Sequence, residues 1–376
     1  MAKKRGNGEG SITRRKDGLY MARYTVQTPT GPKRKTLYGK TRREVDEKLT
    51  KAKADRDGGL VFDADGVKVG EYLERWLADS VRDTVRPTTF ERYEQMVRLH
   101  IRPVLGRLKL KNLTPAHVRG LYREKLDAGL SPRTVQYVHV TLHKALKQAV
   151  MDGLIPRNAT EAVRPPQVRR EEMQPLSPEQ VKVLLEAARD ERLEALYVLA
   201  VTTRLRQGEL LGLKWEDVDL EARTLRVRRT LATTKGGPLL AAPKTKSSRR
   251  TVRLTQGAVN ALRSHLERQL KEIDRAGSLW RENGLIFASE AGVPLDRRYV
   301  TNHRFKPLLK QAQLPLVRFH DLRHTCATLL LGRNVNPKIV SEMLGHASIA
   351  ITLDTYSHVL PNMQGEAAKA VEDALS

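Results

Sequence analysis

The chain has 376 residues, with 68 Lys and Arg against 43 Asp and Glu, so it carries a formal net charge of +25. That length allows two or three domains, and 40% hydrophobic with 30% charged residues is a globular composition whose charge excess points to a polyanionic partner. A single cysteine, Cys326, excludes a disulfide scaffold or a Cys-rich zinc module, while the lack of a long apolar run or an apolar N-terminal stretch excludes the membrane and secreted classes and points to the cytoplasm.

Residues 1–10 are dominated by glycine and charge and read as a flexible basic tail. Up to Arg43 there are thirteen Lys and Arg against two acids, Glu9 and Asp17, a block of +11. Asp17-Gly18 is a hairpin signal, and the alternation after it puts Tyr20, Tyr24 and Val26 on one face and Met21, Arg23 and Thr25 on the other. A second turn over 28–32 leads to a strand near Lys35 to Tyr38. Thr41 with Glu44 is a capping box for a helix that should stop near Gly58-Gly59. Residues 1–62 therefore read as a basic three-stranded sheet backed by one helix, a nucleic-acid module.

Beyond Asp65-Gly66 the pattern becomes helical. Tyr72 to Ala78 is apolar on one face, and Thr88 with Glu91 reads as a capping box for a helix to about Ile101. Thr114-Pro115 and Ser131-Pro132 are N-caps followed by Pro at the first helical position. In the last helix Val135, Val138, Leu142, Ala145 and Ala149 form a core-facing stripe. Residues 67–155 thus predict a four-helix bundle. Residues 156–174, with Pro156, Pro165, Pro166 and the run Arg164 to Arg170, read as an extended basic linker. Ser177-Pro178-Glu179-Gln180 opens the helix that begins the last domain, residues 175–376.

That domain carries the chemistry in three separated pieces. The first is Thr203-Arg204-Leu205-Arg206-Gln207-Gly208-Glu209, the second His320-Asp321-Leu322-Arg323-His324-Thr325, and the third Leu344-Gly345-His346 with Tyr356 ten residues beyond the histidine. Between the first two, Arg223 to Arg253 contains ten Lys and Arg and no acid, with a turn at Gly236-Gly237-Pro238 and the segment Pro243-Lys244-Thr245-Lys246. With these motifs in this order, the chain resembles the tyrosine recombinases, the phage integrase family. The resemblance covers most of the last domain and is specific, because several signatures recur in the family's order.

The resemblance implies a mainly α fold with small β-sheets in a three-domain architecture: an arm-binding sheet, a helical core-binding bundle and a mixed catalytic domain. It maps the family's catalytic positions onto Arg206, Lys244, His320, Arg323, His346 and Tyr356. It implies a site-specific DNA recombinase that cuts and rejoins DNA through a 3′-phosphotyrosyl intermediate, integrating or excising a mobile element of bacterial or phage origin. The implied partners are double-stranded DNA at core and arm sites and a homotetramer on synapsed DNA, with an excisionase and a host DNA-bending protein as accessory factors. The segment after Tyr356, with apolar Ala367, Ala368, Val371 and Leu375, would pack on a neighbouring protomer. Two alternatives stay open: DNA relaxation of the type IB topoisomerase kind, and a catalytically impaired DNA-binding protein.

Physical chemistry fits those residue types. Tyrosine, with a free pKa of about 10, must lose a proton to attack phosphorus. Two arginines can clamp the non-bridging oxygens as charge accumulates, whereas Lys244 can give a proton to the departing 5′ oxygen. His320 and Arg323 lie three apart on one helix face near an N-terminus; His320 is the candidate acceptor of the tyrosyl proton and His346 a donor to the phosphate. Glu209 is expected to pair with Arg206 and aim it. His324, His358 and Cys326 read as packing or hydrogen-bonding residues. No cofactor or metal is called for, as there is no phosphate-binding loop and no metal-ligand cluster. One position departs from the family's pattern: Gly usually precedes the Leu-Arg pair, where a tight turn is needed, and here it is Arg204.

Overall fold

The computed structural model describes residues 11–28, 31–57, 66–168, 173–243, 249–345, 348–356 and 371–375. The expectations for the tail (1–10), the turn at 29–30, Gly58-Gly59, Lys244, His346, His358, Ala367 and Ala368 concern residues outside that set. The chain divides into two compact units, Met1–Arg170 and Glu171–Ser376.

Unit one begins with an antiparallel sheet in the order β1 (Ser11–Arg14), β2 (Tyr20–Thr28), β3 (Gly31–Gly39). Gly18 takes φ +85° in the predicted hairpin, and the register pairs Ser11 with Arg23 and Ala22 with Leu37. Ala22 and Tyr24 are buried with Tyr20 beside them, whereas Arg23 and Thr25 face out. That face packs on Val45, Leu49 and Ala52 of α1 (Arg42–Asp57). Thr41 caps α1 by accepting from the Glu44 N–H at 3.1 Å; the returning Glu44 carboxylate accepts from the Lys40 N–H at 2.8 Å.

The bundle follows. α2 (Val69–Arg75) continues as a π-type segment to Val81. α3 (Pro87–Met96) runs through a similar segment into α4 (Arg102–Leu105), and α5 (Pro115–Asp127) and α6 (Pro132–Met151) complete it. The predicted stripe of α6, from Val135 to Ala149, is fully buried, and burying each larger side chain contributes about 1.5–3 kcal/mol. Thr114 and Ser131 cap as predicted. The Thr88 capping box does not form: α3 starts at Pro87, with Arg86 at the cap position and no side-chain bond. Proline at the first helical position has its φ already set and needs no donor, so it outcompetes the later threonine. The start of the basic linker is not extended. Ala159 and Val163 pack into the bundle core, and Asn158 donates to the His143 carbonyl at 3.1 Å.

Unit two opens with α7 (Pro178–Ala187), where the Ser177 hydroxyl accepts from the Gln180 N–H and the Gln180 side chain accepts from the Ser177 N–H. α8 (Glu194–Thr203) is buried along most of its length and is followed by the short α9 (Gln207–Leu211). Two small antiparallel sheets come next. One has the order β4 (Val218–Asp219), β5 (Thr224–Arg226), β8 (Thr251–Arg253); the other is the hairpin β6 (Thr230–Thr234) and β7 (Gly237–Ala241). α10 (Gln256–Ala276) and then α11 (Arg297–Tyr299), continuous through a π-type segment with α12 (Lys306–Gln311), complete the main core. The last three helices, α13 (Asp321–Leu331), α14 (Pro337–Leu344) and α15 (Ile349–Tyr356), build a smaller cluster from Ala327, Leu331, Val340, Leu344 and Tyr356. Among the described residues no helix is long and apolar enough to cross a membrane.

Candidate active site

Local backbone geometry places each motif. α8 ends because Arg204 adopts the left-handed region, φ +59° and ψ +18°, which turns the chain sharply before α9. This is the turn for which glycine is suited, and an L-residue there carries a backbone cost of about 1–2 kcal/mol. The Arg204 side chain turns inward: it is 4% exposed, its Nη1 donates to the Met343 sulfur at 3.0 Å, and its Nε is buried without a hydrogen-bond partner. Burial pushes its guanidinium pKa down.

Arg206 sits at the start of α9, and its side chain is 39% exposed. Glu209, one turn on and buried, accepts from the Arg206 N–H at 3.0 Å and from Nη1 at 2.8 Å, so the predicted pairing exists. The same carboxylate accepts from Nη2 of Arg250 at 3.2 Å. Burial alone would raise the Glu209 pKa, but Arg250 and Arg206 together hold it below the usual carboxylate value. Gly208 lets α9 lie against β6, because a Cβ there would sit 2.7 Å from Thr230 Oγ1 and 2.8 Å from the Leu231 carbonyl.

Arg323 is buried on the first turn of α13, and its two terminal nitrogens donate to the carbonyls of Arg204 and Leu344. Burial, then the charge of Arg206, lowers its pKa to about 10. His320 caps the same turn and keeps an exposed edge. Protein packed around its ring, and next to that the Arg323 charge, lowers its pKa to about 4. In the first turn the N–H groups of Asp321, Leu322 and Arg323 donate to the carbonyls of Arg318, Phe319 and His320, while the Asp321 carboxylate accepts from the Arg318 N–H at 2.9 Å and from its guanidinium at 2.9 and 3.0 Å.

Tyr356 ends α15 with none of its surface exposed. Its hydroxyl lies 2.7 Å from Nδ1 of His324. Burial raises the phenol pKa further, with Arg323 opposing. The partner is His324 rather than His320, whose ring stands edge-on to that of His324 at 5.0 Å and 87°. The expected direct acceptance of the tyrosyl proton by His320 is therefore not the geometry found. The i, i+4 spacing of the two histidines gives their mutual contact, but nothing local in the sequence gives the tyrosine, 32 residues on. Cys326 is buried, and burial moves its thiol up to about 11, as suits a packing residue.

Arg206, His320, Arg323 and Tyr356 thus come from three helices to one region around the start of α13. Lys244 and His346 lie outside the described residues, although Gly345, just before His346, ends α14 in the left-handed region as a helix stop should. Sequence reasoning missed Arg250 as a second partner of Glu209, which no spacing marks, and Arg318 as the partner of Asp321, which the same three-residue spacing as in Arg206 and Glu209 could have shown. Among the described residues no group of three or more His, Cys, Asp or Glu is placed to hold a metal ion.

A buried tyrosine hydroxyl beside an arginine-rich helix start, on a mainly α scaffold with small sheets, is the arrangement of a tyrosine-based strand transferase. Residues 174–363 match the phage integrase family and residues 68–126 match its N-terminal SAM-like domain. A tyrosine recombinase XerC-like protein of Caldanaerobacter subterraneus subsp. tengcongensis is 34% identical over 359 residues, covering 90% of this chain and 92% of that protein. An integrase of Streptomyces ambofaciens is 31% identical, covering 95% of this chain and 94% of that one. In structure, the chain is similar to the Tn1549 transposon integrase in complex with a circular intermediate DNA, with a TM-score of 0.68 and 23% identity over 83% of this chain and all of that one. It is also similar to a lambda integrase dimer bound to a core site, with a TM-score of 0.57 and 20% identity over 95% and 96% of the two chains. The chain belongs to the phage integrase family, the tyrosine-type site-specific recombinases.

Proposed function

We propose that this recombinase cuts and rejoins double-stranded DNA at the attachment site of a mobile element, with Arg206, Lys244, His320, Arg323, His346 and Tyr356 as its catalytic residues. The observation that carries this reading is the convergence of Tyr356 on the residue next to Arg323, which joins the last motif to the second. Attack by Tyr356 Oη forms an oxygen–phosphorus bond and breaks the bond to the 5′ oxygen, which takes its proton from Lys244. Arg206 and Arg323 stabilise the charge on the non-bridging oxygens, His346 donates to the phosphate, and His320 is the final acceptor of the phenolic proton. The phosphotyrosyl linkage keeps the energy of the broken phosphodiester, so rejoining to another 5′ hydroxyl needs no nucleotide.

The organisation into an arm-binding module (1–62), a core-binding bundle (67–155), a basic linker (156–174) and a catalytic domain (175–376) assigns the +25 charge to separate stretches of DNA. Relatives include an ICEBs1 integrase of Bacillus subtilis, 25% identical, and solved neighbours include a lambda integrase tetramer bound to a Holliday junction. These support a mobile element as the source and a tetramer as the working form; an excisionase and a host bending protein as accessory factors are part of the proposal and rest on the family resemblance alone. The protein then acts in the bacterial cytoplasm on the nucleoid. The test is covalent trapping on a nicked duplex spanning the repeats that flank the element. Wild type should give a protein–DNA adduct and Tyr356→Phe none. Adducts with both proteins, or with neither, would show that the nucleophile is misassigned, and plasmid relaxation without exchange of labelled duplexes would favour a topoisomerase.

A further inference from the structure

We propose that His324 is the positioning residue for the nucleophile, holding the Tyr356 hydroxyl by its proton so that the oxygen's lone pairs turn away from the imidazole. This rests on the reading of Tyr356 as the nucleophile. The ring of Tyr356 is caged by Ala327, Leu331, Val340 and Leu344. Those apolar walls fix the plane of the ring but cannot orient an O–H bond. A phenol O–H lies in the ring plane and has two orientations; a hydrogen bond to one side selects between them. Among the described residues the partner of that hydroxyl is His324 Nδ1, at 2.7 Å.

His324 is well suited to do this because α13 is itself anchored. Arg323 is tied to two backbone carbonyls, and Thr325 donates to the Asp321 carbonyl at 2.9 Å and accepts from the Leu176 N–H at 3.0 Å. The His320 ring braces the imidazole edge-on. Accepting through Nδ1 requires the neutral tautomer with hydrogen on Nε2, the form the proposal assigns to His324. The surroundings favour the neutral ring: burial, then His320, lower the His324 pKa to about 4. Tyr356, by contrast, stands at the end of a short helix, so the rigidity of the pair comes from α13.

The test compares His324→Phe, which keeps the ring volume but removes the acceptor, with His324→Asn, whose side-chain oxygen can stand near the place of Nδ1. On the nicked duplex, His324→Phe should form the covalent adduct roughly 10- to 100-fold more slowly with unchanged DNA binding, and His324→Asn should recover most of the loss. A 5′-bridging phosphorothiolate, whose sulfur departs without a proton, should not rescue His324→Phe, since the defect lies on the nucleophile's side. A Phe variant as fast as wild type or faster overturns the proposal, as does an Asn variant no better than Phe, which would assign importance to the ring's basicity instead. Rescue by the phosphorothiolate does the same. In DNA-free protein, the 15N signal of His324 Nδ1 should shift on Tyr356→Phe; no shift overturns the proposal whatever the cleavage assays give. Failure of wild type to form any adduct while that signal does shift would refute the recombinase reading and leave the hydrogen bond standing.

Discussion

Replacing Arg204 by Gly and, separately, by Ala isolates the backbone strain at the turn between α8 and α9. Both variants lose the same features: the inward guanidinium, its contact with Met343 and the buried Nε without a partner. Both keep the residue-204 carbonyl that accepts from Arg323. What differs is the response to φ +59°. An L-residue carries about 1–2 kcal/mol there, while Gly brings an unfolded-chain entropy cost of about 0.4–1 kcal/mol. The Gly variant should therefore be more stable by about 0.5–1 kcal/mol, or roughly 1–4 °C in melting temperature for a unit of this size. At any right-handed position the order reverses, with Ala ahead by a similar amount. Unfolding in urea, followed by tryptophan fluorescence in a Trp76→Phe background, reports Trp215 and Trp280 in unit two alone. An Ala variant as stable as the Gly variant, or more so, would refute the left-handed assignment and with it the account of why α8 stops there.

Three further outcomes follow from the site. Glu209→Gln removes the charge shared by Arg206 and Arg250 and should cost about 1.5–3 kcal/mol while slowing cleavage; an unchanged urea midpoint would contradict the pairing. Gly208→Ala should destabilise by about 1–3 kcal/mol because its Cβ meets β6. Gly257→Ala, in open space on α10, should instead stabilise by about 0.5–1 kcal/mol, so equal effects from the two would contradict the close approach. His320 and His324 stay neutral in the folded state down to about pH 4, whereas the unfolded chain protonates them from about pH 6.5. The unfolded state thus binds more protons in that window, and stability should fall as pH drops from about 6.5 to about 4. The slope is at most about 1.4 kcal/mol per pH unit for His324 and less for the more exposed His320. His324→Phe should flatten it, and urea midpoints against pH check this.

Much of the scaffold could be read from the chain because its signals are local. Caps at Thr41, Thr114, Ser131 and Ser177 each need only residues within one turn, and the α6 stripe needs only periodicity. The Thr88 cap was misread because two local signals compete and the proline one residue earlier wins. The motifs carried the identities of Arg206, Arg323 and Tyr356, and the three-residue spacing carried the Arg206–Glu209 pair. The His324–Tyr356 bond and the second partner of Glu209 depend on how separate helices meet, which no spacing encodes. Arg204 could be flagged from its sequence position, but its inward course could not.

Arg323 ties together the carbonyls that close α8 and α14, the helices leading into two different motifs. A chain in which either junction has not formed has nothing to hold this guanidinium in place. On the proposed reading of Arg323 as a phosphate clamp, cleavage is then expected only of a chain in which both junctions have folded. For the experimenter, Arg323→Ala is accordingly a poor inactive control, since it removes a tie between helices along with a charge, and Tyr356→Phe is the cleaner choice.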